Sequence, residues 1–175
     1  MKPVQNYIEL FKDNRALVER GSAGVMNTLR DTALSSLARY GLPHKGLEEY
    51  LHTDVSKWFE PDWGMNLARL DMPVDFAQAF KCSVPNLSTQ LYFLANDAFA
   101  SSDTAARSML PDGVFAGSLK EAALKCPELT EKFYGKFADM NKPGIAAINT
   151  LFAQDGFMLY VPDGVVVEKP LQLIT

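Results

Sequence analysis

Residues 157–175 read FMLYVPDGVVVEKPLQLIT. Three apolar runs, Phe157–Val161, Val165–Lys169 and Leu171–Thr175, are separated by a Pro162-Asp163-Gly164 turn and by Pro170. Short runs rich in β-branched and aromatic residues, bounded by Pro and Gly, predict three strands at close spacing. The third run ends the sequence in mid-strand. An apolar strand left at a sheet edge exposes a row of unpaired N–H and C=O groups. The expectation is therefore a truncated sheet, its remaining strands lying past Thr175. By the same reasoning the terminal strands find no closed partner in this chain, and stay poorly ordered or drive self-association.

Upstream of these strands the pattern changes to a helical period. Ile145, Ile148 and Phe152 lie on one face of a short helix that Asp155-Gly156 stops. Pro127 opens an earlier helix carrying Leu129, Phe133, Tyr134 and Phe137, and the helix before it ends near Cys126. That helix begins at Ser118-Leu119-Lys120-Glu121, a capping-box sequence in which Ser118 and Glu121 each satisfy a free N–H. LPDGVFAG (residues 110–117) is a Pro-Asp-Gly turn followed by a strand. LYFLANDAF (residues 91–99) reads as two short strands around Asn96-Asp97, residues that tolerate positive φ.

The N-terminal part is helical. Val4, Tyr7, Ile8, Phe11 and Val18 fall near a 3.6 period, Gly21 is a stop, and Ser22 is placed to cap a second helix. Met26, Leu29, Ala33 and Leu37 make the stripe of that second helix, with Gly41 and Pro43 at its end. Two amphipathic helices joined by a short loop predict an antiparallel hairpin. From Gly41 to Phe80, Pro43, Gly46, Pro61, Gly64 and Pro73 permit only short turns, for example Thr53 capping Asp54–Phe59. Tyr50, Trp58, Phe59 and Trp63 predict an aromatic collar over the hairpin.

Composition excludes several function classes. The 175 residues are 47% hydrophobic and 22% charged, which is globular, and a chain this long buries roughly 70% of its unfolded surface. With 17 Lys+Arg against 21 Asp+Glu the net charge is −4, so no basic face favours nucleic acid. The apolar runs, such as Gly164–Val167, fall far short of the ~20 residues a spanning helix needs, which argues against a membrane protein. Asn6, Glu9 and Asp13 interrupt any h-region at the N-terminus, so no signal peptide is read there. Cys82 and Cys126 stand far apart, without a C-x-x-C pair. They read as reduced core cysteines of a cytoplasmic protein, and Asn86-Leu87-Ser88 then carries no glycan.

No catalytic signature is present. There is no phosphate loop, dinucleotide fingerprint, nucleophile elbow or H-E-x-x-H. His44 and His52 lack the local ligand pairs of a zinc site and read as loop histidines. Glu48, Glu49 and Asp54 read as a wet surface rather than an acid–base pair, and Ser118 as a helix cap rather than a nucleophile. No catalytic, cofactor-binding or metal-binding residue is assigned, and the chain is not read as an enzyme.

Two stretches carry a family resemblance. GLPHKGLEEYLHTDV (residues 41–55) resembles the Gly-Leu-Pro segment and following Glu-x-Trp-Arg/Lys-Tyr-Thr-Asp-Leu run of the SufD-type iron–sulfur cluster assembly proteins. Gly41, Leu42, Pro43, Glu48, Thr53 and Asp54 agree; Tyr50, Leu51 and His52 replace Trp, a basic residue and Tyr. Residues 148–175 are similar to the run Leu-Asn-x-x-Phe-x-x-Asp-Gly, then Val-Pro-x-Gly-Val-x-Val-Glu-x-Pro-Ile-x-Leu. Asn149, Phe152, Asp155, Gly156, Pro162, Gly164, Val165, Glu168 and Pro170 match, and VFAGSLKEA (residues 114–122) resembles the middle segment. The last motif is shared with the SufB branch, and the Gly-Leu-Pro region favours SufD.

The resemblance implies a scaffold that joins SufB and the SufC ATPase. Its iron–sulfur cluster residues and SufC contacts lie beyond this chain, so no cofactor is assigned here; flavin in the full complex is left open. The implied fold is α+β: an N-terminal helical hairpin with its aromatic-rich loop (residues 1–80), a small mixed α/β segment (81–140), and the first strands of a truncated right-handed parallel β-helix (141–175). SufB-like scaffolds are the nearest alternative. A β-helix carbohydrate-active enzyme is disfavoured because Glu168 is the only acid within the three terminal strands. A free-standing helical module would need the terminal strands to be closed within the chain.

Overall fold

The computed structural model describes residues 2–62, 64–70, 90–95, 98–102 and 110–175. Trp63, Cys82, Asn86-Leu87-Ser88 and the Asn96-Asp97 turn lie outside the described residues. Helix α1 (Lys2–Gly21) buries Ile8, Phe11 and Val18, the stripe that the 3.6 period predicts. A single turn, α2 (Gly24–Asn27), and helix α3 (Arg30–Tyr40) follow. Gly41 ends α3 at φ +75°, its N–H donating to the Leu37 carbonyl, a conformation that glycine adopts without a Cβ penalty. Arg15, late in α1, pairs with Asp31, early in α3, while Val4 lies against Gly41, so the two helices run antiparallel as predicted.

The expected second helix is not continuous. It breaks at Thr28-Leu29, where the Thr28 hydroxyl donates to the Val25 carbonyl at 2.7 Å. Ser22 is not its cap either: Ala23 holds that position without a side-chain bond. The Ser22 hydroxyl donates back to the Val18 carbonyl at 2.6 Å and accepts from Arg30.

A third helix closes the pair. Helix α6 (Ile145–Phe152) packs against α1 and α3, and Ala147, Leu151 and Phe152 join Phe11, Val18, Ala33 and Leu37 in one core. Phe152 meets the rings of Tyr7 and Phe11 edge-on at 6.3 and 5.9 Å. Of the expected face, Phe152 is buried and Ile148 packs against the core, but Ile145 is 56% exposed and Ala147 is buried in its stead. Of the predicted aromatic collar, Phe59 packs edge-to-face on Tyr7 at 6.3 Å, but Trp58 is 68% exposed. The loop carries two 3-10 turns, Glu48–Tyr50 and Ser56–Phe59; at the second, Asp54 rather than Thr53 accepts from the Ser56 N–H and hydroxyl.

The strands form two small sheets. Strands β1 (Gln90–Ala95) and β2 (Ala98–Ser102) are antiparallel, as LYFLANDAF predicts. Strand β5 (Leu171–Ile174) lies on the other side of β1 and runs parallel to it, Gln90 opposite Leu171 and Phe93 opposite Ile174. Strands β3 (Phe115–Ser118) and β4 (Phe157–Tyr160) make an antiparallel pair. The Phe157 ring joins the sheets by contacting Tyr92 at 5.1 Å and Phe99 at 6.4 Å.

Two expectations are corrected here. Residues 165–169 form no strand: after the Val165 N–H closes its turn on Pro162, the chain runs irregularly with Val166 73% exposed. The terminal strand is also not without a partner, because β1 pairs with it along its whole length. The matching segment was hard to foresee, since Gln90 and Leu171 are distant in sequence and parallel pairing needs a long crossover.

Between the sheets, Ser118 caps helix α4 (Leu119–Lys125), its hydroxyl accepting from the Glu121 N–H at 3.0 Å. Helix α5 (Pro127–Phe133) follows, with Pro127 at its first position. It ends before Tyr134, because Gly135 turns left-handed at φ +70°. Tyr134 and Phe137, expected on this helix, thus lie outside it, and Phe137 is 84% exposed. The observed class is α+β, with helices and two small sheets.

Candidate functional site

The densest set of long-range polar contacts gathers on residues 150–156, between α6 and β4. An α-helix ends with carbonyls that have no intrahelical donor. Here Arg30 supplies donors. Its guanidinium, wholly buried, donates to the carbonyls of Thr150 (3.0 Å), Leu151 and Ala153 (2.8 Å), to Asn27 Oδ1 (2.8 Å) and to Ser22 Oγ (2.6 Å). The positive charge sits at the negative end of α6, which is favourable for the helix dipole. Burial lowers the guanidinium's pKa from its ordinary value, with Tyr134 and Glu19 acting in the opposite direction. An arginine stays charged under any such perturbation.

The next two residues extend the junction. Gln154, 2% exposed, donates from Nε2 to the Leu67 carbonyl at 3.0 Å and holds the 64–70 segment against the core. Its Oε1 is buried without a hydrogen-bond partner among the described residues and lies over Gly21, where a Cβ would sit 1.7 Å from it. Only a glycine leaves room for that close approach. Asp155 then accepts from the Ser118 hydroxyl (2.8 Å), the Lys120 N–H (3.0 Å) and the Phe99 N–H (3.2 Å). One carboxylate thereby ties β2, the start of α4 and the entry to β4. Lys120 closes the ring by donating to the Gly21 carbonyl at 2.7 Å.

Beside this junction is a cavity of about 260 Å³ lined by Gly64–Leu67, Arg69, Phe152 and Gln154. A second feature is an aromatic surface: Phe133 stacks on exposed Phe137 at 6.2 Å and contacts Tyr160 at 6.4 Å, with Lys132 over the Phe133 ring. Gln154 Oε1 apart, the junction's groups bond one another, so what the arrangement does chemically is position backbone, by satisfying carbonyls and N–H groups at element ends.

The residues considered from sequence lie apart from this junction. His44 Nδ1 accepts from the Gly46 N–H, a loop bond. Glu49 pairs with Lys142 at 2.8 Å, and Asp54 lies 4.0 Å from Lys45. Cys126 is exposed, at the start of α5. Among the described residues no three His, Cys, Asp or Glu side chains come together as metal ligands, and no helix is long and apolar enough to cross a membrane. Sequence reasoning missed Arg30 and Gln154. A signal for Arg30 existed: it falls in phase with Met26, Ala33 and Leu37, a charge in the middle of an apolar stripe.

No curated protein and no solved structure is significantly similar to the chain. A family model described as the SufBD protein N-terminal region matches residues 1–173, nearly the whole chain. The match takes in the Gly41-Leu42-Pro43 bend, the Asp155 junction and the 157–173 strand region together. The chain belongs to the SufB/SufD family of iron–sulfur cluster assembly scaffolds, of whose N-terminal region it consists.

Proposed function

We propose that the chain is the N-terminal part of a SufD-type scaffold subunit, acting in the cytoplasm with SufB and the SufC ATPase to assemble iron–sulfur clusters. The observation that carries the SufD reading is the Gly41-Leu42-Pro43 segment. Gly41 takes the left-handed conformation that ends α3, Pro43 is buried, and Leu42 is buried in the helical core. The segment fixes how the Glu48–Asp54 run leaves the helical core. Its agreement with the SufD pattern in these letters is what supports SufD over SufB.

The role is that of a platform rather than an enzyme. The Arg30 and Asp155 side chains at the junction are spent on helix ends and turns, and partners are met through surfaces. The cluster, and any flavin, belong to the rest of the assembly. A right-handed parallel β-helix fed by β5 is part of this reading; the parallel β1–β5 pairing supports it. The test is co-purification of the full-length product with SufB and SufC. Recovery of all three in one complex is the expected result. A full-length chain that binds neither overturns the reading, and one that enters a complex in place of SufB makes it a SufB-type subunit instead.

A further inference from the structure

The dipeptide Asp-Gly occurs three times, at 112–113, 155–156 and 163–164, and the fold treats the three differently. We propose that Asp112 and Asp163 are sites of spontaneous conversion to isoaspartate, whereas Asp155 is protected by its bonds. The inference stands independently of the proposed function.

The chemistry needs only the chain and water. The glycine backbone nitrogen attacks Cγ of the preceding aspartic acid; a C–N bond forms, the Cγ–OH bond breaks, and the hydroxyl leaves as water with the former amide proton. Water then opens the five-membered succinimide. Attack at the side-chain carbonyl restores aspartate. Attack at the main-chain carbonyl leaves the backbone running through Cβ, which is isoaspartate. Glycine at the following position offers the least hindered nitrogen.

Asp112 and Asp163 meet the remaining requirement, a carboxyl free to swing onto that nitrogen. Each occupies the second position of a Pro-Asp-Gly-Val turn. The Val114 N–H donates to Pro111 and the Val165 N–H to Pro162, both at 3.1 Å, with Gly113 and Gly164 at φ +80° and +77°. Both aspartates and both glycines are exposed, and no side-chain bond holds either carboxylate among the described residues. Asp155 has the same neighbour in sequence but opposite surroundings. Its two oxygens accept from Phe99, Ser118 and Lys120, and the Gly156 carbonyl accepts from the Leu119 N–H at 2.9 Å.

The two reactive turns lie side by side. A Cβ on Gly113 would stand 3.1 Å from Pro162 Cγ, and both turns adjoin the Phe115–Tyr160 end of the β3–β4 ladder. Conversion lengthens the backbone by one carbon where β4 hands over to the segment leading to β5, so it loosens that end of the pair.

The test is warm incubation of the chain at mildly acidic pH, folded and, in parallel, unfolded in urea. Isoaspartate is scored at each position by resistance to an aspartate-directed endoprotease, with the peptides identified by mass spectrometry. In the folded chain Asp155 is expected to convert at least about tenfold more slowly than Asp112 and Asp163, because its capping bonds must open first. In urea the three rates converge. Conversion of folded Asp155 as fast as the others, or folded Asp112 and Asp163 as inert as Asp155 while the unfolded chain reacts, overturns the proposal.

Discussion

Replacing Arg30 by Met keeps a long side chain at a wholly buried position and removes every guanidinium donor at the end of α6. Three carbonyls lose their partner, together with Asn27 Oδ1 and Ser22 Oγ. An acceptor left buried without a donor costs about 1–3 kcal/mol. Only the Leu151 bond is fully buried, while those to Thr150 and Ala153 are part-buried, so water restores some of the loss. The expected destabilisation is about 3–5 kcal/mol, at the upper end of single substitutions. With a urea slope of ~2 kcal/mol/M, the midpoint falls by about 1.5–2.5 M. Arg30→Lys keeps the charge at the helix end but has one nitrogen in place of a planar fork, so it loses an intermediate amount. Circular dichroism against urea gives both midpoints, and amide exchange places the loosening in α6. A Met variant within ~1 kcal/mol of the parent refutes the reasoning, since the α6 carbonyls would then be satisfied without the guanidinium.

Asp155→Ala strips the acceptor from Ser118, Lys120 and Phe99, and is expected to cost about 2 kcal/mol in a thermal or urea melt, with Asp155→Asn costing less; equal stability of the Ala variant contradicts the junction. Gly21→Ala sets a Cβ against Gln154 Oε1 and drives that side chain off the Leu67 carbonyl, a loss of about 1–3 kcal/mol. Adding Gln154→Ala removes the obstacle, so the double variant should fall short of the summed losses, and strict additivity speaks against the contact. The exposed Glu49–Lys142 pair holds the Glu49 carboxyl below its ordinary range, chiefly through the Lys142 hydrogen bond, and Lys142 above its own through the same bond. A lowered carboxyl contributes stability above the ordinary carboxylate range that is lost as pH falls through its folded value. A raised lysine contributes below the ordinary lysine range and loses that contribution as pH rises through its folded value. In Lys142→Ala the Glu49 titration followed by NMR should move up to the ordinary range; an unmoved titration means the pair does not form in solution.

Local signals were legible and long-range ones were not. The capping Ser118, the Pro127 start, the Gly41 stop and the two Pro-Asp-Gly turns each depend on the φ preference or hydrogen-bonding of one or two residues, and each stands where the sequence places it. Val165–Lys169 failed because β propensity measures fit to a half-buried pleated surface, and among the described residues no neighbouring strand offers Val166 such a surface. The pairing of β5 with β1 failed for the opposite reason: the surface existed, but its partner lay some eighty positions earlier and nothing local in LQLIT names it.

The junction was half legible, and the half that was missed explains the architecture. Asp155-Gly156 read as a stop; the helix ends shortly before it, at Phe152, but a stop needs no more than a turn. The carboxylate is also bonded to backbone N–H groups of Phe99 and Lys120, so the end of one element becomes the cap of another. Arg30 does the same from the other side by lending donors of the N-terminal helices to the end of α6. A helix of eight residues is too short to be stable alone. Its place in the core therefore depends on these two charged side chains as well as on Leu151 and Phe152. The helical part and the strand part are in that sense one cooperative structure, sharing α6, and substitutions at either charge should loosen both.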